Sequence, residues 1–168
     1  MRPSTVLSLA TLAVLAACHK GKASAPPLVA PAPELQVAVR AVDPGAILLS
    51  DNARVFADSL RKVIRDTVEW KQIWAQATRL QPSPPARPVV DFSKDFVILA
   101  AAGQGHPGDV IHVDSMGYAR KLAVIVIRTT TGCQNIPATA YPFELAKVPR
   151  FDGDPAFREQ RSKAPECQ

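Results

Sequence analysis

The chain has 168 residues, a formal net charge of +5 and 47% hydrophobic residues. That is the size and apolar content of one folded domain and excludes an intrinsically disordered chain. The cations are scattered, without runs and without interleaved aromatics, which argues against a nucleic-acid surface, and no apolar stretch reaches the roughly 20 residues that span a bilayer.

The start of the chain reads as an address. Met1-Arg2 carries a positive charge, and the uncharged run Thr5–Ala16 follows. That run is too short for a membrane span and right for the apolar core of a secretory signal. It ends in Leu15-Ala16-Ala17-Cys18. Small residues before the cut let extended backbone enter a peptidase pocket. A Cys directly after them resembles the lipobox of bacterial lipoproteins, in which the thiol is acylated and becomes the new N-terminus. The resemblance implies a signal peptide at residues 1–17, a lipid anchor at Cys18 and a place in the cell envelope. His19 stands where an Asp would resemble an inner-membrane retention signal, so the outer membrane is expected, on its periplasmic or external face. Residues 18–34 are rich in Pro and Ala without periodicity. They read as an extended tether, reaching roughly 50 Å at about 3.1 Å per residue.

Residues 35–168 are left for one compact unit. Leu35–Val42 alternates as a strand does, Asp43-Pro44-Gly45 is a turn signal, and Ile47–Ser50 suits a short second strand. Residues 51–59 fit helix and strand equally. Leu60–Arg65 reads as a strand. Asp66 and Glu69 have capping-box spacing, and Trp70, Ile73, Trp74 and Ala77 follow at i, i+3, i+4 and i+7, which predicts an amphipathic helix over about 66–78. The two Trp are the largest core contribution on offer. Gln81–Pro88 holds four prolines and must be loop. Phe96–Ala102 is a continuous apolar run, as buried strands are. Val110–Asp114, Leu122–Arg128 and Tyr141–Val148 complete the strands, the last stopped at Pro149. The expectation is an α+β domain: a mostly antiparallel β-sheet with one clear helix.

Chemical motifs are sparse. Gly103-Gln-Gly105-His-Pro-Gly108 has the spacing of a dinucleotide loop, but an alternating strand pattern follows it where a helix would have to open. It reads as a β-connection, with Pro107-Gly108 suited to a type II turn. His106, Asp109, His112 and Asp114 are the one cluster of metal-capable side chains. On a strand, His112 and Asp114 would share a face and could hold Zn²⁺ or Cu²⁺ loosely. Surface strands carry such residues routinely, so no metal and no cofactor is assigned. There is no G-x-S-x-G elbow and no H-E-x-x-H, and a triad built on His106 or His112 has no positive support. The chain is read as a non-enzyme. With Cys18 acylated, Cys133 and Cys167 remain, and two thiols in an oxidising compartment pair. That disulfide would pin the polar tail Phe157–Gln168 onto the domain.

VIRDTVEWKQIW (63–74), PVVDFSKDFVILAAAG (88–103), LAVIVI (122–127) and YPFELAKVPR (141–150) stand in an order that resembles the PrcB C-terminal domain, named for a component of a bacterial protease complex. One departure is that His106-Pro-Gly-Asp109 stands where the family's glycine-rich turn is followed by an aromatic. The resemblance implies a non-catalytic, β-rich accessory domain that binds or stabilises a protein partner such as an exported protease. It supplies no catalytic residue. The reading weighed against it is a periplasmic metal or small-ligand binder using the His106–Asp114 segment.

Overall fold

The structure is a computed structural model that describes residues 38–43, 46–119, 121–133 and 137–167. The expected signal (1–17), Cys18 and the tether (18–34) lie outside the described residues, as do residues 35–37 of the expected first strand. Eight strands and one helix follow in order: β1 (Ala38–Ala41), β2 (Ile47–Asp51), β3 (Ser59–Ile64), α1 (Thr67–Thr78), β4 (Asp95–Ala102), β5 (Val110–Ala119), β6 (Leu122–Thr131), β7 (Phe143–Pro149) and β8 (Ala156–Lys163). Among the described residues no helix is long and apolar enough to cross a membrane.

The strands form two four-stranded sheets, β1-β5-β6-β8 and β2-β7-β4-β3, where the sequence suggested one. Every pairing is antiparallel except β6 with β8. The reason for two sheets lies in β4. Phe96, Ile98 and Ala100 face the first sheet and pack on Ile111, Val113, Ile125 and Ile127. Val97, Leu99 and Ala101 face the other way and pack on α1. A strand covered on both faces reads as an unbroken apolar run. The run therefore signals burial without saying what lies on either side.

Helix α1 starts where its cap dictates. The Asp66 side chain accepts the Glu69 backbone N–H at 2.8 Å, satisfying one of the free amides of the first turn. The Glu69 carboxylate pairs with Lys62 of β3, tying the helix to the sheet at 2.8 Å. Trp70, Ile73, Trp74 and Ala77 are all buried. The indole N–H groups of Trp70 and Trp74 donate to the carbonyls of Pro88 and Pro85. The proline-rich connection thus closes over the two rings without orphaning their polar atoms.

Residues 52–58 form neither helix nor strand, although Val55 and Phe56 are buried in the helix-side core. Two strands outrun their sequence patterns. β5 continues from Asp114 to Ala119 through a bulge between Val113 and Ser115, which interrupts the alternation there. β6 continues to Thr131. The largest difference is β8, which the sequence suggested as a polar tail. It lies parallel to β6 as an edge strand, and only Phe157 of its side chains packs into the core between the sheets. Paired backbone holds it instead, together with a bidentate ion pair from Arg61 of β3 to Glu159 at 2.8 and 3.0 Å.

Candidate functional site

The Gly103–Gly108 loop is a β-connection, as its sequence suggests. The Asp109 N–H donates to the His106 carbonyl across a turn with Gly108 at φ +87°, the conformation a type II turn asks of its third residue. The Asp109 carboxylate then accepts the backbone N–H groups of His106 at 2.8 Å and Gly132 at 3.0 Å. Gly132 passes so close to Gly108 that a Cβ there would stand 2.7 Å from its carbonyl carbon. Asp109 is therefore a structural clasp between the β4–β5 and β6–β7 connections.

The other members of the His106–Asp114 cluster also have separate work. Asp114 pairs with Arg128 of β6. His112 is half-exposed and places Nδ1 2.8 Å from Oε2 of Glu144. Among the described residues no three His, Cys, Asp or Glu side chains come together as a metal site would require. Asp109 is engaged by the backbone of His106 and Gly132, while His112 and Asp114 are engaged by Glu144 and Arg128.

Glu144 is the residue that sequence reasoning missed. It is fully buried between the sheets, on the side of β7 that carries Ala146 and Val148. Its position follows from register. β1 ends at Ala41 opposite Ser115, and Val42 adds one more bond to the Asp114 carbonyl. One residue further along β5 the Val113 N–H has no strand to pair with, and Glu144 Oε1 accepts it at 2.8 Å. One carboxylate thus substitutes for the missing end of β1 and orients His112. A carboxylate-held imidazole is the orienting half of an acid–base dyad. With His112 on β5 and Glu144 on β7, the pair joins the two sheets. The available signal was a single acidic residue inside the apolar strand FELAKV.

Cys133 and Cys167 come together. Their Sγ atoms are 2.12 Å apart and their Cα atoms 5.1 Å, a disulfide across 34 positions. The bridge joins the end of β6 to the 3₁₀ turn Pro165–Cys167, just past β8.

A groove lies among β1, β5 and β7, at the edge of the two sheets where β1 runs. Its volume is about 540 Å³, within the range of small-ligand and peptide clefts. Met116, Gly117 and Tyr118 of β5, Val148 and Pro149 of β7 and Val42 give it an apolar lining. Arg40, Lys147, Asp43 and Asp95 supply charge. Lys147 lies 3.8 Å from Asp95. Arg40 is exposed and, among the described residues, has no carboxylate within ion-pair distance. The groove exists because β2 starts late: β7 pairs with β4 as far as Pro149 but with β2 only as far as Ala146.

No family model matches the chain, and neither a curated protein nor a solved structure matches it.

Proposed function

We propose that this protein is an envelope lipoprotein, acylated at Cys18 and held at the outer membrane, whose domain docks a protein partner without catalysing a reaction. The partner class follows from the resemblance to PrcB C-terminal domains carried by residues 63–74, 88–103, 122–127 and 141–150, and an exported protease or envelope complex fits it. The observation that carries the docking reading is the groove. It offers an apolar floor rimmed by charge, as docking surfaces do, and among its described lining residues there is no Ser, Thr, Cys or His. The Cys133–Cys167 pair fits an oxidising, exported setting. In the sequence the expected tether precedes β1, the strand that contributes Arg40 and Ala41 to the groove. A docked partner would therefore sit within roughly 50 Å of the membrane.

The test places a photocrosslinking amino acid at Tyr118 of the full chain in its native membranes, with the same residue at Val89, which is fully exposed and outside the groove, as the control. One discrete product is expected from Tyr118 and not from Val89. Its identity is set by mass spectrometry and confirmed by reciprocal recovery through the partner. The same products from both positions, or none from Tyr118, would remove the docking reading.

A further inference from the structure

We infer that the groove takes the free C-terminal end of an extended protein segment, its α-carboxylate on Arg40 and its last side chains on the floor formed by Met116 and Val148. The inference rests on the docking reading above and adds the chemistry of the docked element.

Three features select that occupant. The first is charge. Lys147 already faces Asp95 at 3.8 Å, and Arg40 is the lining cation without such a partner among the described residues. One guanidinium fork suits one carboxylate, which it can grip through two parallel N–H donors. The second is backbone. β7 runs three residues past its last pairing with β2, through Lys147, Val148 and Pro149. On the facing sheet β1 is an edge strand of four residues. Both offer main-chain groups to an extended peptide, as in strand addition, and neither would be used by a simple acyl chain. The third is register. Arg40 lies directly opposite Met116 across the β1–β5 pair, so cation and apolar floor are adjacent. A terminal residue can serve both at once, with its carboxylate on the fork and its side chain on the floor. An internal Asp or Glu would spend its own side chain on Arg40. The next side chain on the same face of its strand lies two residues away, roughly 7 Å further along.

The experiment uses the full acylated chain in non-ionic detergent and fluorescence anisotropy. The probes are fluorescein-labelled pentapeptides varied over Ala, Val, Leu and Phe at their last three positions, each made with a free carboxylate and as the amide. Saturable binding is expected for free-carboxylate members of the set. Amidation or Arg40→Gln should weaken it about fivefold or more, and Arg40→Lys should weaken it less. Arg40 is exposed, so both variants should unfold with the parent, and a thermal melt verifies this. Equal binding of the amides, indifference to Arg40→Gln, or no saturable member of the set would overturn the inference. The Tyr118 crosslink separates the two levels. A partner captured there through an internal segment leaves docking in place and removes the C-terminal end, whereas no Tyr118-specific capture removes docking itself.

Discussion

Glu144→Ala is expected to destabilise the protein by about 3–4 kcal/mol, a large share of the stability of a domain this size. Two costs add. The substitution empties a fully buried position between the sheets, and it leaves the Val113 N–H without an acceptor where β1 no longer runs beside β5. Glu144→Gln should cost about 1 kcal/mol, because the amide oxygen still accepts from Val113 and the NH₂ can reach His112. Glu144→Leu should fall between them, since it refills the volume but orphans the N–H. His112→Ala should cost about 2–3 kcal/mol. It removes one of two partners of a buried carboxylate, but its ring is 45% exposed and water can enter the vacated place. Urea denaturation followed by the fluorescence of Trp70 and Trp74 measures all four. A Glu144→Ala variant within about 0.5 kcal/mol of the parent would show that the carboxylate does not hold the sheets together.

Breaking the Cys133–Cys167 bond, by reduction or by the double Ser variant, is expected to cost about 3–4 kcal/mol. That is the chain-entropy value for a closed loop of the 34-position separation seen here. The loss should not spread evenly. β8 is the edge strand, exposed along most of its length, and it is held by β6, by the Arg61–Glu159 pair and by the bridge just past its end. Amide exchange in 156–163 should therefore accelerate well before exchange in β4 or β7, which are covered on both faces. Uniform acceleration in all strands, or a cost under about 1 kcal/mol, would contradict this account of how β8 is held.

The parts of the fold legible in the sequence are those fixed by local chemistry. Asp66 caps a helix because its side chain reaches an amide three residues on, and Pro107-Gly108 turns because glycine takes positive φ. The apolar runs of β4 and β6 announce burial on both faces. What was not legible depends on partners distant in the chain. β8 carries one core side chain, Phe157, and its other supports come from Arg61, β6 and Cys133. His106, Asp109, His112 and Asp114 looked like one cluster, yet Gly132, Glu144 and Arg128 claim three of them separately. The groove draws on Arg40, on Met116 to Tyr118 and on Lys147 to Pro149. No short-range pattern joins those segments; they meet only because β2 starts late beside β7. Glu144 left a trace, a carboxylate in an apolar strand, whose meaning depends on where β1 ends.

The account depends on Cys18 being the point of attachment, since the tether, the oxidising compartment and a docking face near a bilayer all follow from it. Intact-mass spectrometry of the protein isolated from its native membranes tests this most directly. The account predicts a polypeptide that begins at Cys18, carries the added mass of acyl chains and partitions with detergent. A full-length chain with an unmodified residue 18, recovered from the aqueous phase, would contradict it.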